Sequence, residues 1–430
     1  MRFRLIVTLF GLLLWGACTQ TPEPPVPRWW KGNLHTHSFW SDGDDYPEMI
    51  VDWYKTAGYD FVALSEHNTL AEGERFVDVA ENGGAELLDV YKARFLDRPD
   101  WVEERHTDEG VHEVRLKTLE EYRTLFEERE SFLLVSAEEI TDEFQTKDVH
   151  VNATNLKDLI EPQGGDSVRD VMQNNIDAVL SQRERTGQAM FPHINHPNFG
   201  WAVKVEDLIA LRGEQFFEVY NGHPQVHNQG DELRPSTERM WDILLAERLS
   251  DGQALMYGIA VDDAHNYHDL DDEHSNPGRG WVMVHSVSLS AEALVVAMEA
   301  GDFYATSGVL LDSIVVSDER LSVVIRSEPG VRYRIRFIGT REGYDRSKEE
   351  VELEDASVLY NYSDDIGEIL AEIEGTSATY TFAGDELYVR AKIVSTKLKE
   401  NPYRQGEHEA AWVQPIVPPP PPDDDDAASP

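Results

Sequence analysis

The 430 residues carry 81 Asp and Glu against 38 Lys and Arg, a formal net charge of −43 at pH 7. So many carboxylates repel nucleic-acid backbones and anionic membranes, which argues against a polyanion-binding role outside a metal-filled pocket. A single cysteine, Cys18, forbids an internal disulfide and leaves any bound metal to nitrogen and oxygen ligands.

The chain opens with Arg2 and Arg4, an apolar run over residues 5–15 and the small pair Gly16-Ala17. This pattern reads residues 1–17 as a secretory signal peptide, too short for an ordinary membrane span. Cys18 follows directly and resembles the lipidated cysteine of a bacterial lipoprotein, although Trp15 stands where a leucine is expected. The expectation is an exported protein of the cell envelope, in the periplasm or at the surface. Its membrane contact would run only through a lipid on Cys18. Residues 18–28 include TQTPEPPVP, a semi-rigid tether, and residues 417–430 form a Pro and Asp tail that cannot bury a core.

What lies between is longer than one core usually spans, so a large domain over 29–312 and a smaller one over 313–416 are expected. The first alternates short apolar segments with helical patterns, as a parallel sheet or barrel requires. Strands are predicted at 61–64, 132–135, 189–191, 216–220 and 255–260, and helices at 49–56, 119–128, 168–183 and 239–248. The long stretch 81–130 holds His106 and His112 in polar surroundings, which reads as surface or lid. After Ile314 the texture changes. V-R-Y-R-I-R-F at 331–337 and L-Y-V-R-A-K-I at 387–393 alternate with period two, the mark of half-buried antiparallel strands. With 321–326, 351–353, 378–382 and 410–416 they predict a small β-sandwich. It carries no catalytic constellation, and its partner is unknown.

The chemistry-bearing residues concentrate upstream. K-G-N-L-H-T-H puts His35 and His37 at i and i+2, on one face of an extended chain. Asp42 sits in S-D-G, and Glu66, His67 and Asn68 follow an apolar strand. Glu138-Glu139-Ile140-Thr141, His150 in H-V-N-A, His193 and His196 in P-H-I-N-H-P, E-V-Y-N-G from Glu218, and Asp263 with His265 in D-A-H complete the series. Each lies at or just beyond a short apolar run, where ligands gather in parallel-strand folds. Arg279 and Lys117 are candidate phosphate clamps, since a guanidinium matches phosphate oxygens bidentately, with a plain surface salt bridge as the alternative for each. No G-x-S-x-G and no phosphate-loop pattern occurs.

Taken in this order the motifs resemble the polymerase and histidinol phosphatase (PHP) family over roughly residues 29–311. The resemblance implies an α/β fold, a distorted (β/α)7 barrel of PHP type, with a C-terminal β-sandwich-like domain. It implies two or three divalent metals per chain, Mn, Zn or Fe, and hydrolysis of a small phosphate ester by a metal-activated hydroxide. Carried over by position, His35, His37, Glu139 and Asp263 would hold one metal. His150 and His196 would hold a second, with Glu139 bridging, and Asp42, His67 and His265 a third. Glu66 would orient a ligand, His193 would protonate the leaving oxygen, contact phosphate or be only a satisfied histidine beside the pocket, and Asn195 and Asn221 would fix ligands or substrate. In an extended strand Glu138 and Glu139 point to opposite sides, and the family's Glu, aliphatic, Thr pattern selects Glu139. The same site could serve carbon-centred esters, amides or carbamates, or the chain could be a non-catalytic surface metal-binding lipoprotein. With all chemistry upstream, a chain ending near Asp312 is expected to keep its activity if it stays soluble.

Overall fold

A computed structural model describes residues 26–352 and 358–419. The signal segment, Cys18, most of the tether and the tail from 420 onward lie outside the described residues.

The architecture is mixed α/β around one large sheet of thirteen strands. Seven of them, in spatial order, are Tyr257–Val261, Phe216–Asn221, Phe191–Ile194, Lys147–Thr154, Leu133–Phe144, Phe61–His67 and Arg28–Asn33. Neighbours run parallel except around Lys147–Thr154, which is antiparallel to both of its partners. A parallel bridge between Thr36 and Ala264 joins the two ends of this run, with Asp263 N donating to His35 O at 3.0 Å and His37 N to Ala264 O at 2.9 Å. The ends of the central strands and the loops beyond them therefore meet over one small area.

Both faces of these strands are buried, as expected of parallel strands covered on each side. One face packs Trp30, Phe61, Val135, Ile259 and Val282 together, and the other packs Val151, Ile194, Phe217 and Val219 against Met172, Ile176, Trp241 and Leu245. The covering helices begin where the chain supplies caps. The side chains of Ser167, Thr118 and Ser236 accept from backbone N–H groups at the starts of Val168–Thr186, Leu119–Phe126 and Thr237–Ser250. Gly187, at φ 69°, ends the first of these in the left-handed conformation that a helix stop favours.

The sheet continues past Arg28–Asn33. Trp281–Ser286, Phe303–Thr306, His408–Ile416, Glu386–Leu398, Tyr333–Arg341 and Glu368–Glu374 follow, every pair antiparallel. Strands before and after residue 313 thus share one sheet. Ala305 pairs with Trp412, and Trp412, Tyr388 and Ala410 belong to the same buried cluster as Tyr220 and Trp241. Leu311–Ser317, Arg320–Ile325 and Ser377–Thr381 form a second antiparallel layer whose Leu321, Val323 and Ile325 pack with Ile335, Phe337 and Ile393. A chain ending near Asp312 would take the partner strand His408–Ile416 away from Phe303–Thr306.

Candidate metal centre

His35 and His37 lie just past the Arg28–Asn33 strand, and both are fully buried. Asp263 follows Tyr257–Val261 with φ 51°, a left-handed conformation tolerated by Asp and met at functional sites. It turns its carboxylate back toward the histidines. Asp263 Oδ1 stands 3.2 Å from His35 Nε2 and 3.4 Å from His37 Nε2, and Oδ2 stands 3.9 Å from His196 Nε2.

Glu139 occupies the centre. Its Oε2 is 3.1 Å from His35 Nε2, 3.2 Å from His37 Nε2 and 3.2 Å from His67 Nδ1. Its Oε1 is 2.8 Å from His150 Nδ1 and 3.4 Å from His196 Nε2, and accepts from Asn195 Nδ2 at 2.7 Å. Asp42 stands at the rim, 3.4 Å from His265 Nε2, 3.4 Å from His67 Nε2 and 3.8 Å from His37 Nδ1. His37 belongs both to the group with His35 and Glu139 and to the group with Asp42, His67 and His265. The donors form one continuous cluster, less divided than three separate ligand sets.

These donors suit divalent cations. Buried polar groups are normally satisfied, yet His37 Nε2 has no hydrogen-bond partner although it faces two carboxylates. A cation between them satisfies all three, and imidazole with carboxylate oxygen is a donor set for Zn, Mn or Fe. Electrostatics points the same way. Burial opposes charge on His35, but Asp263, Glu139 and Glu218 hold its pKa well above the ordinary value. His67 is likewise pushed up to about 9, against burial, chiefly by Glu139 and Asp42. Glu139 and Asp263 are held well below the carboxylate range because the surrounding imidazoles outweigh their burial. The pocket attracts positive charge.

This has a consequence for pH. In metal-free protein a pKa of about 9 for His67, against 6.5 when unfolded, contributes stability that is full below pH 6.5. That contribution is lost as pH rises through 9. Ligand imidazoles must also shed protons before binding metal. Melting of the metal-free chain is therefore expected to fall between pH 6.5 and 9.5 through this group, and added Zn or Mn should raise it more at the upper end. A metal-induced rise in melting temperature that shrinks as pH increases would contradict this.

Exposure sets the direction of access. His35, His37 and Glu139 are sealed, whereas the side chains of His67 and Asp42 are 24% and 55% exposed. Solvent meets the cluster chiefly at Asp42 and His67, and to a smaller extent at His265 and His150, 18% and 11% exposed.

The remaining candidates are placed differently. Glu66 accepts from Ser38 N at 3.1 Å and from the hydroxyls of Ser38 and Ser41 at 2.5 Å, bracing the turn that delivers Asp42. It touches no ligand imidazole. His193 is fully buried behind His35, its Nε2 3.3 Å from Glu218 Oε1, so it cannot reach a leaving oxygen at the solvent side. Arg279 is no phosphate clamp. Its fully buried guanidinium donates to the carbonyls of Gly222, Asp271, His274, Asn401 and Pro402, and so pins the loop after Asp263 and His265. Lys117 is also buried and donates to Glu103 at 2.5 Å. Asn221 ties Glu218 to Asp263, donating at 2.8 and 3.0 Å. His106 and His112 stack on each other at 4.6 Å on a separate hairpin.

One residue of the centre had no role in the sequence reading. Glu218, fully buried, is 2.7 Å from His35 Nδ1 and accepts from His196 N at 2.7 Å. Burial would raise its pKa, but His35 and His193 bring it down to about 2. A carboxylate on the far nitrogen fixes the ring and turns Nε2 toward the cluster. Glu218→Gln is expected to cost ~10–100-fold in metal affinity. Competitive titration with a chelating dye measures this, and an unchanged affinity would remove Glu218 from the centre.

No family model matches the sequence, and no curated protein matches it. Among solved structures the chain is similar to a two-domain protein from Bacteroides vulgatus containing a predicted PHP-like metal-dependent phosphoesterase. Identity is 14% and the TM-score 0.37, over 92% of this chain and 97% of that one. It is similar to a candidate metal-dependent phosphoesterase from Bifidobacterium adolescentis, at 13% identity and TM-score 0.28, over 56% of this chain and 89% of that one. An amidohydrolase from Chromobacterium violaceum, with bound sulfate and no metal, gives 12% identity and TM-score 0.29 over 55% and 87%. At such low TM-scores these likenesses define neither the fold nor the reaction of this chain.

Proposed function

We propose that this chain is a PHP-type metal-dependent hydrolase that cleaves small phosphate esters at a multinuclear site. The observation that carries the reading is the convergence of six imidazoles and three carboxylates, His35, His37, Asp42, His67, Glu139, His150, His196, Asp263 and His265, around the Glu139 carboxylate. Divalent metals held there would act as Lewis acids on phosphoryl oxygens and lower the pKa of water. The chain's own part is positional. Glu218 and Asn221 fix His35 and Asp263, Asn195 fixes Glu139, and Glu66 fixes the turn before Asp42, so the donors are preorganised before any ligand arrives.

In this reading residues 29–312 form a distorted (β/α)7 barrel, supported by the Thr36 to Ala264 bridge. Residues 313–416 form an accessory β-domain on the shared sheet. Export and lipidation at Cys18 belong to the same proposal. Detergent-dependent partitioning of the full chain, lost in Cys18→Ser, is the corresponding check.

A second reading, hydrolysis of carbon-centred esters or amides on the same cluster, gains from one observation. Arg279 and Lys117 both point elsewhere, so neither supplies a phosphate clamp. Metal-loaded protein assayed against p-nitrophenyl phosphate, bis(p-nitrophenyl) phosphate and p-nitrophenyl acetate separates the readings. Metal-dependent turnover of a phosphate substrate is expected. Turnover of the acetate alone favours the second reading, and metal binding with no turnover favours a binding protein.

A further inference from the structure

An open cleft lies beside the hairpin that leads into His150 and the loop that follows His196. Its wall takes Lys147 from the hairpin leading into His150, Trp201 and Lys204 from the loop after His196, Arg234 from the loop before the helix Thr237–Ser250, and Tyr360 from the C-terminal strands. Trp201 is only five residues from His196, a reach of at most about 18 Å even if extended. The chain between them is folded into turns, with Phe199 N bonding to His196 O and Val203 N to Pro197 O.

Three features set this cleft apart. The first is charge. In a chain where carboxylates outnumber cations by 81 to 38, the lining holds Lys147, Lys204 and Arg234 beside one carboxylate, Glu206, which accepts from Tyr362 at 2.9 Å; Asp231, outside the lining, pairs with Arg234, and Lys204 also donates to Val358 O at 2.8 Å. The second is a stacked support. Trp201 lies flat on His227 at 4.5 Å, and the Arg234 guanidinium sits over the Trp201 ring at 4.8 Å while its Nη1 donates to Asp231 Oδ2 at 2.6 Å. A guanidinium fixed in this way keeps its geometry for an anion. The third is backbone strain. Trp201 has φ 54°, an uncommon conformation for a bulky residue and one that clusters at ligand sites. The floor, Val203, Val205 and Met240, is apolar.

We propose that this cleft is a substrate subsite for an organic anion with an apolar body, the part of the phosphoester that leaves. The anionic head faces Arg234, Lys147 and Lys204, the apolar body covers Met240 and Val203, and the ester reaches the metal cluster past His196. The inference rests on the phosphoesterase reading for its link to catalysis, but not for binding itself. The head is a carboxylate or a second phosphate.

The test uses the full chain and, as probe, 1-naphthalenesulfonate, which is a poor metal ligand, with neutral 1-naphthalenemethanol as control. Calorimetry is expected to show tighter binding of the sulfonate, about tenfold weakened by Arg234→Gln and again by Lys147→Gln, with the neutral control unmoved. In kinetics, the same variants should raise KM for phosphoesters whose alcohol carries a carboxylate or a phosphate, whichever the cleft accepts. KM for ethyl phosphate and kcat for all substrates should hold. A wild-type chain that does not bind the sulfonate, or variants that leave its affinity unchanged, would overturn the subsite. Binding that behaves as described in a protein inert toward every phosphoester would overturn the phosphoesterase reading and leave the subsite standing.

Discussion

Replacing Glu139 by glutamine is expected to strip metal from the chain and to lower hydrolysis by at least ~10²-fold, several kcal/mol of lost charge stabilisation. Its two oxygens stand within 3.4 Å of five imidazole nitrogens, and its side chain is 1% exposed. An amide there removes the one charge common to all five rings and turns an N–H₂ donor toward some of them. The adjacent Glu138 is the internal control. Its side chain faces away from the cluster, Oε2 accepting from Ile160 N at 3.0 Å, and burial pushes its pKa up to about 8. At neutral pH it is already largely uncharged, so glutamine is close to isosteric and isoelectric. Elemental analysis and initial rates for the two variants measure the difference. Greater loss in Glu138→Gln than in Glu139→Gln would reverse the assignment.

Ending the chain near Asp312 is expected to abolish the folded, metal-binding state. Phe303–Thr306 would lose its partner strand His408–Ile416, and the cluster around Tyr220 and Trp241 would lose Trp412, Tyr388 and Ala410. Asp242, buried at the N-terminal side of that cluster, would lose a bidentate ion pair with Arg390, both contacts at 2.7 Å. Breaking a buried pair by removing one member costs ~3–5 kcal/mol, a large share of the ~5–15 kcal/mol that holds a typical domain. Arg279 would also lose Asn401 and Pro402, and with them part of its hold on the loop after His265. Circular dichroism melting and metal content of the truncated protein test this. A soluble fragment with a cooperative transition and bound metal would show that the shared sheet is dispensable.

Much of the site was legible because metal donors are uncommon residue types, and here they follow apolar runs that the eye reads as strands. The E-V-Y-N-G motif is legible, but the sequence assigns Glu218 no role, because one acid inside F-F-E-V-Y looks incidental until the ring it holds is seen. Arg279 was misread for the converse reason. The sequence displays a guanidinium but not the five carbonyls that surround it. Strand cores such as Phe61–His67 and Phe216–Asn221 are legible, yet the predicted 132–135 stops short of the actual Leu133–Phe144, since Glu138, Glu139 and the polar residues after them break the apolar signal. Glu104–His106 and His112–Arg115 carry no alternation at all, and their hairpin was missed with the helix Gly84–Arg94 beside it. Period two exposed the C-terminal strands because alternation reports which face is buried. It does not report which edge finds a partner, so the joining of His408–Ile416 to Phe303–Thr306 stayed hidden.

The most direct measurement is metal content against activity in one preparation. Full-length protein is treated with chelator, dialysed, analysed by elemental mass spectrometry and assayed on the phosphate substrates, then reloaded with Mn or Zn and assayed again. Hydrolysis should vanish with the metal and return as two or three ions per chain are restored. Hydrolysis that persists undiminished in protein shown to hold far less than one ion per chain would contradict the account.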